Sequence, residues 1–145
     1  MKQSQKEIEL NYNASDLYNI VLDIEEYPDY IPWCSKIEII NRKKNIIEAN
    51  MIVNYKFFPT QKFTSKVLYN SKNKIIKTQY IDGPLKDLFT SWEFKKIEKN
   101  KTNVVFIVGF EFKNFLHQRL AELFFPLIEN KMMDSFIQRA KKTLI

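Results

Sequence analysis

The sequence predicts an α+β fold in which a curved antiparallel sheet of about seven strands wraps around one long C-terminal helix, with short helices between the first strand and the second. Three observations predict it. Apolar residues recur at helical spacing near the N-terminus, alternate through the middle of the chain, and return to helical spacing after Asn114. The 145 residues suit a single domain, 1–145, since a chain of this length buries about two-thirds of its unfolded surface around one core.

Residues 4 to 11 read as the first strand, with Ile8 and Leu10 on one face. Asn13 or Ser15 then caps a helix in which Leu17, Ile20, Val21 and Ile24 fall on one stripe, and this helix should stop before Pro28. From about residue 36 to 113 the period becomes two, broken by turns at Lys43-Lys44-Asn45, Phe58-Pro59, Asn70 to Asn73, Asp82-Gly83-Pro84 and Asn100 to Asn103. Five turns give six strands. Alternation places Ile47, Ala49, Met51, Val53, Tyr55 and Phe57 on one face of the second strand of the chain's middle region, followed by Phe63, Ser65, Val67 and Tyr69 on the next. The same face continues through Ile76, Thr78 and Tyr80, then Leu88, Thr90, Trp92 and Phe94, then Val104, Phe106, Val108, Phe110 and Phe112. Strands joined by short turns make a meander with one buried face.

After Asn114, Leu116, Leu120, Leu123, Phe124, Leu127, Ile128, Met132, Phe136, Ala140 and Leu144 recur at spacings of three and four, predicting one helix of about 28 residues, or about 42 Å. Arg139, Lys141 and Lys142 complement its dipole. Pro126 is expected to kink it, because an interior proline removes a backbone hydrogen bond. Leu123 to Ile128 is apolar all round, more than packing on one sheet requires; it reads first as core excess, with a ligand, a dimer contact or a membrane surface as the alternatives for part of it.

Composition excludes several classes. Twelve Phe and seven Tyr supply an ample core, so disorder is excluded. No apolar run approaches the roughly 18 residues of a membrane span, and Glu7 and Glu9 interrupt any leader-like pattern. The expectation is a soluble, cytoplasmic protein. Cys34 is the only cysteine, so no internal disulfide or multi-cysteine metal site forms, and a buried thiol is expected. The net charge of +6 attracts polyanions without specifying one, and with only three Arg among 23 cations it reads first as a solvated lysine surface. A role on DNA is not expected.

Chemistry-bearing residues are sparse. His117 is the sole histidine, beside Gln118 and Arg119 in a polar row. With Gly83 and Gly109 alone, no glycine-rich phosphate loop exists. Asp82, Asp87 and Glu93 share one hairpin and would do acid–base work only if buried; turn and surface roles are expected. The informative segment is Tyr27-Pro28-Asp29-Tyr30-Ile31-Pro32-Trp33-Cys34. Its prolines fix the backbone and present Tyr27, Tyr30, Ile31 and Trp33 at a set angle, which suits the mouth of a hydrophobic cavity between sheet and helix. Tyr55, Tyr80, Thr78, Thr90, Ser65 and the Trp92 indole N–H are candidates to orient a polar head inside it.

The run Val21-Leu22-Asp23-Ile24-Glu25-Glu26 through Cys34 resembles the signature of the coenzyme Q-binding, START-like family within the polyketide cyclase/dehydrase-like superfamily, a family that includes the bacterial RatA proteins. Asp82-Gly83-Pro84-Leu85-Lys86-Asp87-Leu88 with Trp92-Glu93-Phe94 is similar to its DGP-F-x-x-L…W-x-F hairpin, and Phe110-Glu111-Phe112 before a proline-bearing helix resembles its C-terminal part. Phe is common where Leu85 stands, and a bulky aliphatic or Phe where Tyr30 stands. The resemblance covers nearly the whole chain. It implies a helix-grip fold, no metal, no cofactor chemistry, and non-enzymatic binding and delivery of ubiquinone or another polyprenyl lipid in support of respiration. It also allows a RatA-type toxin that binds the large ribosomal subunit and blocks subunit joining. A quinone carrier would touch a bilayer transiently, peripheral at the inner membrane. By the motifs, Tyr27, Ile31, Pro32 and Trp33 form the entrance wall, and Gly83, Pro84, Leu85 and Trp92 the opposing hairpin. Periodicity alone adds Met51, Phe63, Tyr80, Phe110, Leu120, Phe124 and Ile128 to the inner face.

Overall fold

A computed structural model describes residues 1–54 and 60–144, apart from the side chain of Phe124. Expectations for Tyr55, Phe57, the Phe58-Pro59 turn and the Phe124 side chain lie outside the described residues. The chain runs β1 (Lys2–Leu10), α1 (Ala14–Leu22), a 3₁₀ turn (Ile24–Asp29), β2 (Cys34–Lys43), β3 (Ile46–Val53), β4 (Gln61–Asn70), β5 (Ile75–Asp82), β6 (Leu85–Glu98), β7 (Lys101–Phe112) and α2 (Phe115–Thr143). The strands form one antiparallel sheet in the order β1-β7-β6-β5-β4-β3-β2, curved as expected.

Local chemistry sets these boundaries. The Asn13 side chain caps α1 by accepting from the amides of Ser15 (2.9 Å) and Asp16 (3.4 Å), and it donates to the Lys99 carbonyl at 3.0 Å, fastening the helix to the β6–β7 turn. Asn114 caps α2 in the same way through the amides of Leu116 (2.8 Å) and His117 (3.3 Å). Asn45 takes a left-handed conformation (φ 64°) to close the β2–β3 hairpin, which asparagine tolerates better than most residues. Register shifts between Cys34 and Lys36, Ile39 and Asn41, Thr64 and Ser65, Leu85 and Asp87, and Lys96 and Glu98 add local bends, and such bulges curve a sheet. Gly109 lies under the Phe89 ring on the convex face; a Cβ there would stand 2.2 Å from the ring edge.

Two expectations about the helices need correction. α1 stops before Pro28 as expected, but already at Leu22, so Ile24 belongs not to it but to the separate 3₁₀ turn that contains Pro28. The break comes at Asp23, whose ψ of 71° leaves the helical region, while the amides of Tyr30 and Ile31 both reach the Tyr27 carbonyl at 3.2 and 2.8 Å. In α2 the helix is continuous through Pro126, but its first half does not bury the stripe that periodicity chose. Leu116, Leu120, Leu123 and Leu127 are exposed, whereas Phe125, Glu129, Met132, Met133, Phe136 and Ala140 turn inward. Where apolar residues surround a helix, spacing alone cannot select the buried face.

Candidate functional site

The concave face of the sheet has two ends of different character. At the end covered by α1, the 3₁₀ turn and the last turns of α2, the inward residues Ile47, Ala49, Val67, Ile76, Trp92, Phe94, Val104 and Phe106 are buried. One step further along the same strands, Met51, Phe63, Thr78, Tyr80, Leu88, Thr90 and Phe112 face the same way but are only half-buried. The register makes this a boundary across the sheet: Val67 pairs with Thr78 and Ala49 with Ser65, Thr78 with Thr90, and Met51 with Phe63.

Aromatic rings fill the first end. Phe136 of α2 meets Tyr27 and Tyr30 edge-on at 5.5 Å each, and Trp92 at 4.9 Å. Trp92 lies 4.3 Å from Phe106 and stacks on Phe94 at 6.0 Å. Edge-to-face and offset contacts of this kind are the favoured arrangements for ring quadrupoles. The Tyr27 hydroxyl donates to the Val21 carbonyl, turning the ring inward. Burial pushes the Tyr27 phenol well above its ordinary range, with the neighbouring Tyr30 adding to the shift. Burial likewise raises Tyr30, against the opposing effect of Arg139, whose guanidinium sits 4.9 Å over the Tyr30 ring and 3.6 Å from Glu26. Cys34 is buried and its thiol is pushed up to about 11, so it is a protonated packing residue.

Ile31 and Trp92 are parts of the packed core at that end, and Tyr27, Tyr30 and Trp33 pack against it. Pro32 is exposed; with Tyr30 it lines a hollow of about 340 Å³ against Lys131, Ser135 and Arg139 of α2. A second hollow of about 650 Å³ follows the seam between β1 and α2, lined by Lys6, Ile8, Leu127, Met133 and Ile137 among others. Both open to solvent, and neither lies under the half-buried row.

The second end gathers several of the inner-face residues expected there. Phe63 meets Tyr80 at 6.3 Å, and Phe110 meets Phe125 of α2 at 4.7 Å. Ile128 is half-buried and Leu85 buried, but Leu120 is on the outward stripe, so its assignment to the inner face does not hold. The Asp82-Gly83-Pro84-Leu85 turn is built around the Tyr80 hydroxyl, which accepts from the Leu85 amide at 2.9 Å and donates to the Leu85 carbonyl at 3.1 Å. Gly83 (φ 151°) is required there: a Cβ would fall 2.7 Å from that hydroxyl. Tyr80 is therefore a turn support rather than a free orienting group. Thr78 and Thr90, paired across β5 and β6, are half-buried with no hydrogen-bond partner for their hydroxyls among the described residues. Gln118 ties α2 over this end by accepting from the Phe112 amide at 2.6 Å while donating to Glu122 at 3.0 Å.

Asp82, Asp87 and His117 are exposed, and Glu93 is half-buried on the convex side of β6, so none of the four enters the concave space. One carboxylate among the described residues is buried, and no motif marks it. Glu129 is 3% exposed on the inward stripe of α2; one oxygen lies 3.9 Å from the Lys6 ammonium and the other has no partner among the described residues. Its position four residues after Phe125 and seven before Phe136 was the available signal. Among the described residues no three His, Cys, Asp or Glu converge on a metal position, and no helix is long and apolar enough to cross a membrane.

Known proteins share this arrangement. The pattern of the family described as polyketide cyclase / dehydrase and lipid transport matches residues 10–137. The chain is 31% identical over 145 residues to the mitochondrial coenzyme Q-binding protein COQ10 of Drosophila melanogaster, spanning 96% of this chain and 58% of that protein. It is 28% identical over 139 residues to the ribosome association toxin RatA of Pseudomonas aeruginosa, spanning 95% of this chain and 94% of that one. Thus it covers little more than half of the first relative and nearly all of the second. Among solved structures, an 18 kDa protein of Caulobacter crescentus superposes with a TM-score of 0.79 at 25% identity, covering 98% of this chain and 97% of that chain. The Zhui aromatase/cyclase of Streptomyces superposes with a TM-score of 0.88 at 12% identity, covering 99% and 96%, which is a likeness of fold alone. The chain belongs to the polyketide cyclase / dehydrase and lipid transport family.

Proposed function

We propose that this protein is a non-enzymatic binder of a hydrophobic small molecule, a polyprenyl quinone such as ubiquinone or a similar lipid, held between the half-buried end of the concave face and the first half of α2. The observation that carries the reading is the row Met51, Phe63, Thr78, Leu88, Thr90 and Phe112, inward-facing yet incompletely covered, beside an end of the same strands that is filled. Apolar area left over in this way gains about 25 cal/mol per Å² when a guest covers it. Phe110 and Phe125 would form the floor, with Ile128 on the helix side and Gly83, Pro84 and Leu85 as the rim. The Thr78 and Thr90 hydroxyls would donate to a carbonyl head group. The coenzyme Q-binding relative supports the substrate class. The test is mass spectrometry of lipid extracted from purified protein, before and after loading with quinone; a prenyl quinone recovered in stoichiometric amount is expected, and none after loading would contradict the reading.

A second reading, inhibition of ribosomal subunit joining, is favoured by the correspondence with RatA along 94% of that protein's length. Sucrose-gradient profiles with added protein check it. Loss of joined ribosomes would support it, and unchanged profiles would remove it.

A further inference from the structure

The first half of α2 carries its leucines on the side away from the core. Leu116, Leu120, Leu123 and Leu127 follow one another at spacings of four, three and four, so they form a single stripe. Leu116, Leu123 and Leu127 are 64%, 75% and 60% exposed, and Phe115 at the helix start is 78% exposed. The opposite side is the one that packs, through Phe125 against Phe110. Nearly a full turn beyond Leu127 the outward face changes to Asn130, Lys131, Asp134, Gln138 and Lys141, all exposed.

From Lys113 to Lys131 the exposed charges of this stretch have one sign, while Asp134 beyond them and Glu7 of β1 line the hollow beside Leu127. Lys113, Arg119 and Lys131 are exposed, with Arg119 and Lys131 on opposite flanks of the leucines and the Arg119 guanidinium 5.9 Å from the Phe115 ring. The two carboxylates in the same span are turned away. Glu129 is buried near Lys6, and Glu122 is half-buried against the Gln118 amide. From residue 113 to 131 no fully exposed carboxylate accompanies the three exposed cations.

We propose that this half of α2 is a docking face for an anionic lipid bilayer, with its leucines entering the boundary between headgroups and acyl chains and Lys113, Arg119 and Lys131 resting on the phosphates. An apolar stripe bracketed by cations is the pattern by which a helix lies in a membrane interface, and each basic residue adds attraction to anionic lipid. A second copy is a poorer occupant, because the cationic flanks of two symmetric faces would confront each other. The proposal goes beyond the bound-guest reading and is independent of it, since it requires only the outer side of the helix.

The test is flotation of the purified full chain, without added quinone, on phosphatidylcholine vesicles with and without phosphatidylglycerol. The protein should float with the anionic vesicles, and salt of about 1 M, which shortens electrostatic reach to about 3 Å, should weaken that binding. The double variant Leu123→Asp/Leu127→Asp should float at least about tenfold less, with an unchanged melting temperature because both side chains are exposed. Arg119→Glu/Lys131→Glu should abolish the preference for anionic over neutral vesicles. Failure of the wild-type chain to float, or equal flotation of the Asp variant, overturns the proposal. So does a wild-type dimer in sedimentation that the Asp variant splits while flotation stays the same. Quinone recovery from the Asp variant reads the guest separately, so either idea can fail alone.

Discussion

The two ends of the concave face are made from the same seven strands and differ in what fills them. At one end Tyr27, Tyr30, Trp92, Phe94, Phe106 and Phe136 interlock ring against ring. At the other, Phe63 meets Tyr80 and Phe110 meets Phe125, and Met51, Thr78 and Thr90 between them are only half-buried. The difference is one of burial along the same strands, filled at one end and half-buried at the other. The packed end holds the grip closed, and the other end, half-buried, is where the proposed guest would lie.

Substitutions at the packed end should have the largest effects. Phe136→Ala removes the ring shared by Tyr27, Tyr30 and Trp92 and should lower stability by about 3–5 kcal/mol in urea titration. Bulk added to the two ends should separate them more sharply. Ala49→Phe overpacks a filled site and should cost about 1–3 kcal/mol, while Thr90→Phe should change stability by less than about 1 kcal/mol and reduce quinone recovery. Equal costs for the two would erase the distinction. Gly83→Ala drives a Cβ against the Tyr80 hydroxyl at a φ that L residues rarely adopt, and should cost about 1–3 kcal/mol with loss of the β5–β6 turn geometry by NMR.

Smaller changes probe the boundary between the ends. Glu129→Met replaces a buried carboxylate that has one unpaired oxygen, and should raise stability by about 1 kcal/mol in thermal melts. Alkaline pH should weaken the packed end. The Cys34 thiol ionises near 9.0 when free and about 11 when folded, so above pH 9 the unfolded state sheds a proton that the native state keeps. Tyr27 shifts in the same direction. Stability should therefore fall as pH rises from 9 through 11, with Cys34→Ala flattening part of the slope.

Most of the architecture was legible from alternation and turn residues, because a strand with one wet face declares its register in the sequence. Asn13 and Asn114 were readable as caps or boundaries for the same reason: their side chains have few other ways to satisfy a helix N-terminus. The failures fall where periodicity is degenerate. Around Leu123 to Ile128 every face of α2 is apolar, so the choice between Leu120 and Phe125 as the inward residue depended on tertiary contacts with Phe110. The Tyr27 to Trp33 segment was recognisable by its motif, but whether its rings line a space or fill one depended on Phe136, more than a hundred residues away. Glu129 is a carboxylate on a long helix, a residue type rarely found fully buried, and only its place on the inward stripe marks it.

The central claim is that a hydrophobic guest enters at the half-buried end and not among the rings. Methyl NMR during titration with a short-chain quinone reads both ends at once. The account predicts shifts at Met51, Leu88 and Ile128, with Ile47, Val67 and Ile76 unmoved. Shifts concentrated at Ile47, Val67 and Ile76, or no shifts at saturating quinone, would contradict it.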